Sequence, residues 1–461
     1  MGLAPTPDAA STKALISLLE QRLSEPTARG LAQAVGSAIR DGVLLPGAKL
    51  PPIRTVAAEL TLSPTTVSAG WALLARAGSV RTDGRRGTTV VDTTRPDVSR
   101  YRAALERQAE MTLDLSTGVP DAELLPSLRS ALEHLTTAGT PGSYLEEPVL
   151  PELAEVLLID WPCPATELAI VDGAMDGLDL VARTALRFGD RVVVENPTFP
   201  PLVDLLESVG AAMVPVAVDT AGLSVQGLRR ALTSPVAAVF LQPRAHNPTG
   251  VTMTPARARE IAGLLSGSPT LVVEDDSAGS IAVTPPLSLG RWVPDQTVHV
   301  RSFSKSHGPD LRLAAMSGPP DVMAGVESRR HVGQGWSSRL LQRILHSLLT
   351  DPSAVGSVAR ARDEYARRRA ALVGALDRRD VRAAGTDGLN LWVPVHDEAA
   401  AMVRLARDGI GVAPGRAFTL VPGSGDHVRV TAGLVGPDQV EDVAQALATA
   451  SRTTAWRPRA R

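Results

Sequence analysis

The chain has 461 residues, 44% of them hydrophobic and 21% charged, with a formal net charge of −2. That length exceeds one ordinary core and predicts two or three globular domains. No run of about 18 uninterrupted apolar residues occurs, which excludes an apolar membrane-spanning helix. Met1-Gly2-Leu3-Ala4-Pro5 lacks the basic-then-apolar order of a signal peptide, and Met1-Gly2 with Thr6 matches a myristoylation start only superficially. The single cysteine, Cys163, rules out an internal disulfide and any multi-cysteine metal site. A cytoplasmic location is expected. Charge is unevenly divided: residues 26–91 carry eight basic and three acidic side chains, whereas residues 92–461 carry a net −6. A basic front on an acidic body is the asymmetry of a small nucleic-acid module joined to a larger domain with other business.

In chain order, residues 11–23 have the apolar spacing of a short amphipathic helix, broken at Glu25-Pro26-Thr27, where Thr27 is a plausible N-cap. Leu31, Val35 and Ile39 keep one face through a second helix ending at Asp41-Gly42, and Pro46-Gly47 is a turn. Thr55–Leu60 forms a third helix. Ser63-Pro64 opens a fourth, with serine as cap and proline at the first helical position; it turns Val67, Trp71 and Leu74 inward and stops at Gly78. Val80–Val91 alternates around Asp83-Gly84 and Gly87, as a two-stranded hairpin does. Residues 1–24 are then an N-terminal extension, 25–91 a winged helix-turn-helix and 92–110 a linker. From 111 to 455 the pattern becomes α/β, with a short tail at 456–461. The strands expected there are Leu168–Val171, Val192–Val194, Ala212–Pro215, Ala238–Leu241, Leu271–Val273 and Val298–Val300, separated by helix-length segments. Such alternation implies a mainly parallel sheet covered on both faces.

Lysine occurs only at positions 13, 49 and 305. All other basic side chains are arginine, which stays protonated in proteins and cannot act as a neutral amine nucleophile. Lys305 lies in Ser302-Phe303-Ser304-Lys305-Ser306-His307, seven residues before Arg312. An amine among hydroxyls with a nearby arginine is what a pyridoxal phosphate (PLP) imine needs.

Three segments of the front module carry a resemblance. Asp41-Gly42-Val43-Leu44-Leu45-Pro46-Gly47 running to Arg54, Leu62-Ser63-Pro64-Thr65-Thr66-Val67, and Gly84-Arg85-Arg86-Gly87-Thr88 resemble the winged helix of GntR-type bacterial transcription regulators. A recognition helix starting at Ser63 would present Ser63, Thr65, Thr66 and Ser68 to a major groove. Arg54 would hold the DNA backbone, and Arg85 and Arg86 at the wing tip would enter or flank the minor groove. The chain departs from the family at Pro64, where an arginine that touches DNA is common.

Residues 111–435 resemble a fold type I, aspartate aminotransferase-like PLP domain. The resemblance implies that Lys305 is the catalytic amine and that Ser302, Ser304 and Arg312 hold the phosphate, arginine offering a planar fork to two oxygens. Leu271-Val272-Val273-Glu274-Asp275-Asp276 resembles the strand end with the partner of the pyridine nitrogen. That role falls to Asp275; alternation puts Glu274 and Asp276 on the other face. His246-Asn247-Pro248-Thr249-Gly250 implies that Asn247 meets the phenolic oxygen, and Asn196-Pro197-Thr198-Phe199 that Phe199 stacks on the ring. Gly173-Ala174-Met175 would offer the N–H groups of Ala174 and Met175 to the phosphate. Tyr144 would reach the phosphate in a neighbouring subunit, and Arg429 would bind an α-carboxylate. His246 and His307 are expected to make local hydrogen bonds. Two departures stand out: Ser277 occupies the place of a tyrosine that bonds the PLP oxygen, and Leu150-Pro151 replaces a usual glycine.

A GntR-like winged helix followed by an aminotransferase-like domain is the architecture of MocR-type regulators. The resemblance implies a DNA-binding regulator that senses PLP or an amino compound. It also implies a head-to-tail dimer reading direct or inverted repeats of double-stranded operator DNA. The alternative is an aminotransferase, converting amino acids to 2-oxo acids, with an accessory DNA module.

Overall fold

The computed structural model describes residues 9–454 except 24, 41–42, 46, 77–79, 83–86, 91–110, 136–146, 166, 422 and 424. The chain divides into two compact units. One comprises Met1–Ser99 with Leu186–Arg191 and Val203–Met213, the other the remainder.

In the first unit, helices span Ala9–Arg22, Ala28–Arg40, Ile53–Glu59 and Pro64–Arg76. Strands β1 (Val80–Thr82) and β2 (Thr88–Val90) pair antiparallel. The caps form as expected: Thr27 Oγ1 accepts from Gly30 N at 3.0 Å, and Ser63 Oγ from Thr66 N at 3.0 Å. Leu31, Val35, Val56, Val67, Trp71, Leu74, Val80 and Val90 close one core. One feature escapes the sequence pattern. Residues 47–50 add a further edge to the wing, with Gly47 N donating to Val90 O and Leu50 N to Thr88 O.

The second unit is built on an eight-stranded sheet in the order β4-β11-β10-β9-β8-β5-β6-β7. Its strands are β4 (Ala169–Val171), β5 (Arg191–Asn196), β6 (Ala212–Asp219), β7 (Gly222–Leu223), β8 (Ala238–Leu241), β9 (Leu271–Asp276), β10 (Thr297–Ser302) and β11 (Ala314–Ser317). β5, β8, β9 and β10 run parallel, and β11 lies antiparallel between β10 and β4. Val192, Val193, Val239, Val272, Val298 and Val300 are buried, as two-sided cover by helices requires. A second sheet joins β12 (Asn390–Pro394), β15 (His427–Thr431) and β14 (Ala413–Pro414), and β3 (Leu113–Asp114) pairs with β13 (Ile410–Gly411). Helices Pro352–Asp377, Glu398–Arg407 and Val440–Ser451 pack around that second sheet through Leu372, Leu376, Leu391, Leu405, Val430 and Leu447.

This topology positions the site. Parallel strands release their carboxyl ends at one edge, where ligands of open α/β sheets bind. β8 therefore leads into Gln242–Asn247, β9 ends at Asp275 and Asp276, and β10 leads into Ser302–Lys305 on that shared edge.

Candidate cofactor-binding site

Lys305 is half-buried, and its Nζ lies 3.4 Å from Ser277 Oγ. Burial pushes its pKa down, only partly countered by the nearby Asp275 carboxylate. A larger share of neutral amine, the nucleophilic form, results. Ser277 thus serves the amine directly, although it lacks the reach of a phenol. Across the floor, Asp275 Oδ2 accepts from Gln242 Nε2 at 2.5 Å, while Oδ1 is buried with no hydrogen-bond partner. Burial raises the Asp275 pKa to about 6 against the lowering pull of Gln242 and Lys305. Asn247 Oδ1 faces Arg429 Nη1 at 3.2 Å and Asn390 Nδ2 at 3.5 Å, which turns its own NH2 the other way.

The opposite end of the site is shaped for an anion. Gly173 has φ +97, and a Cβ there would lie 3.3 Å from Arg312 Nη2. Behind it the helix Ala174–Ala185 begins, so the N–H groups of Ala174 and Met175 have no intrahelical acceptor. Arg312 is exposed and donates to Asp172 O at 3.3 Å, and Ser302 is buried beside Ser304. Phe199 packs against Trp392, Ala413 and Phe418. Tyr144, Arg85 and Arg86 lie outside the described residues.

Arg429 differs most from expectation. It is fully buried in β15, with its guanidinium 5.1 Å over the Phe418 ring. Its Nη2 donates to the Ser116 carbonyl, and a Cβ on Gly118 would lie 3.1 Å from Nη1. Residues 116–118 thus lie against the guanidinium that was expected to face a carboxylate.

Sequence reasoning missed what lies on the far face of β9. Asp276 accepts from Arg244 Nη2 at 2.5 Å, and Glu274 Oε2 lies 2.8 Å from His299 Nδ1. Arg301 pairs with Asp160 at 2.6 Å. Burial drives the Asp276 pKa up, but Arg244, His299 and Arg301 outweigh it and hold the carboxyl below its usual range. His246 Nδ1 meets Thr249 Oγ1 at 2.8 Å and His307 Nδ1 meets Ser306 Oγ at 2.8 Å, both local contacts.

On the DNA module, Arg54, Ser63, Pro64, Thr65 and Ser68 are exposed. Ser63 Oγ also lies 2.6 Å from Thr65 Oγ1 and 2.8 Å from Thr66 Oγ1, so the hydroxyls form one cluster at the start of their helix.

The family of class I and II aminotransferases matches residues 110–447, and the bacterial regulatory proteins of the GntR family match residues 27–90. The chain belongs to the MocR-type branch of the GntR regulators. It is 34% identical to the vitamin B6 salvage pathway transcriptional repressor PtsJ of Salmonella typhimurium, over 91% of this chain and 97% of that protein. It is 25% identical to the HTH-type transcriptional regulator TauR of Rhodobacter capsulatus, over 84% of this chain and 88% of that one. Among solved structures, the kynurenine aminotransferase of Pyrococcus horikoshii superposes with a TM-score of 0.71 at 22% identity, covering 78% of this chain and 95% of that one. That likeness shows the fold of the large domain. Among the described residues, no helix is long and apolar enough to cross a membrane.

PLP is the cofactor of this fold, and the residues present fit it. The orphaned Asp275 Oδ1 supplies an acceptor for a ring N–H, and the cradle of Gly173 and Arg312 suits a phosphate. Holding the Asp275 carboxylate ionised in a buried site has a stability cost. A raised carboxyl pKa penalises the folded state above that pKa, and the penalty fades as pH falls through about 6. Asp275→Asn is therefore expected to stabilise the cofactor-free protein by about 1–3 kcal/mol at neutral pH. The gain should shrink towards pH 5, as read by urea denaturation at both pH values.

Proposed function

We propose that this regulator senses PLP itself, bound covalently at Lys305, and transmits its occupancy to operator DNA. When bound, PLP supplies an aldehyde that condenses with amines and a ring that withdraws electrons once its nitrogen is protonated. The protein's own groups divide the work. Lys305 provides the neutral amine, with Ser277 beside it. Asp275 would hold a proton on the ring nitrogen, and the Asn247 NH2 would be available to the phenolic oxygen. Ser302, Ser304, Arg312 and the first turn after Gly173 would hold the phosphate, and Phe199 would flank the ring.

The observation that carries this reading is the orphaned Asp275 Oδ1 on the same sheet edge as a half-buried lysine of lowered pKa. The relative named for vitamin B6 salvage supports PLP as the effector. So does the covered state of Arg429, because an amino acid would need Ser116 to leave before its carboxylate could pair there. An amino-compound effector is the second reading, and the buried guanidinium itself favours it.

Arg54 and the hydroxyls of Ser63, Thr65, Thr66 and Ser68 form the proposed DNA surface, with Arg85 and Arg86 on the wing. A head-to-tail dimer would bring Tyr144 of one subunit to the other's phosphate site. An allosteric effector must bind one conformer more tightly, by 1–3 kcal/mol in typical cases. The test is operator binding titrated with PLP, then with amino acids in its presence. A change of about fivefold or more with PLP alone is expected; a response confined to added amino acids would favour the second reading.

A further inference from the structure

Asp275 and Asn247 come from different segments, the end of β9 and the turn after β8, yet one side chain touches both. Gln242 is 6% exposed. Its Nε2 donates to Asp275 Oδ2 at 2.5 Å, and its Oε1 accepts the Asn247 backbone N–H at 2.7 Å. Its own backbone N–H is anchored by Glu195 Oε2 at 2.8 Å, and Glu195 is also buried. The amide can adopt only this orientation. Flipped, it would set its oxygen against a carboxylate and its NH2 against an N–H.

We propose that Gln242 is a positioning residue: it ties the acid for the ring nitrogen to the amide for the ring oxygen and so fixes their separation. The inference rests on the roles given above to Asp275 and Asn247. Engaging Oδ2 leaves Oδ1 as the oxygen presented to the cofactor. An uncharged glutamine does this without titrating and without adding a further carboxylate to those of Asp276 and Glu195 near Asp275. Glutamate at the same place would keep the acceptor for Asn247 but lose the donor and bring two carboxylates together. Methionine would keep the volume and lose both hydrogen bonds.

The discriminating experiment uses full-length protein stripped of cofactor. PLP is titrated against an analogue with C–H in place of the ring nitrogen, in wild type, Gln242→Met, Gln242→Glu and Asp275→Asn. Both Gln242 variants are expected to bind PLP on the order of tenfold more weakly than wild type. The analogue makes no use of Asp275 Oδ1, so its affinity should stay within about twofold of wild type in Gln242→Glu, which keeps the acceptor for Asn247, and should fall less than that of PLP in Gln242→Met, which loses it. Equal losses for both ligands, or no loss for PLP, would overturn the proposal; a merely structural role produces the equal losses. If Gln242→Met does not fold, the glutamate variant carries the comparison. Asp275→Asn separates the two levels. If it weakens both ligands alike, the ring-nitrogen reading fails; if it discriminates while the Gln242 variants do not, only the role of Gln242 fails.

Discussion

Arg244→Met is expected to cost the large domain about 3–5 kcal/mol, because it leaves a buried carboxylate without its closest cation. Asp276 is wholly buried, and Arg244 meets it at 2.5 Å while also donating to Thr284 O at 2.7 Å and Gly279 O at 3.1 Å. The other basic side chains lie farther off: His299 Nε2 at 3.8 Å and Arg301 Nε at 3.9 Å. The pH dependence has a definite sign. In wild type the Asp276 pKa is depressed, so its contribution is present above the unfolded value of 3.8 and is lost as pH falls below it. In the variant that carboxyl titrates higher, so the deficit should be greatest near neutrality and smaller near pH 5. Urea unfolding followed by tryptophan fluorescence measures both; an unchanged midpoint at neutral pH would show that His299 and Arg301 suffice.

Lys305→Ala should abolish the effect of PLP on operator binding while leaving cofactor-free DNA affinity within about twofold of wild type. A half-buried amine of lowered pKa gains nothing for folding from its charge, so its removal is not expected to destabilise the protein. Lys305→Arg provides the control, since it keeps the cation but offers no neutral amine. In wild type the response should fall in the 5–150-fold range of common allosteric couplings. An intact PLP response in both variants would mean that non-covalent occupancy is what the DNA module reads.

The framework was legible because its signals are local. Caps at Thr27 and Ser63, consecutive valines in β5 and β9, the alternating Val298 and Val300 of β10, and the Lys305 segment each announce themselves within a few residues. β11 went unread because Ala314-Ala315-Met316-Ser317 has no β-branched residue and joins the sheet antiparallel. Gln242 and Arg244 were missed for another reason. Their partners Asp275 and Asp276 lie more than 30 residues away in sequence, at |i−j| of 33 and 32, and only parallel pairing of β8 with β9 brings them together. Nothing in the sequence around Arg429 shows that its guanidinium meets the carbonyl of Ser116, 313 residues earlier. Alternation did place Glu274 and Asp276 away from Asp275; what it could not supply was the set of partners, His299, Arg244 and Arg301, that makes their burial tolerable.

Covalent attachment at Lys305 is the claim on which the rest depends, and the scarcity of lysine makes it directly measurable. Protein incubated with PLP, reduced with borohydride and digested should yield the added cofactor mass on the peptide containing Lys305, with Lys13 and Lys49 unmodified. Absence of that mass, or its appearance only at Lys13 or Lys49, would contradict the account.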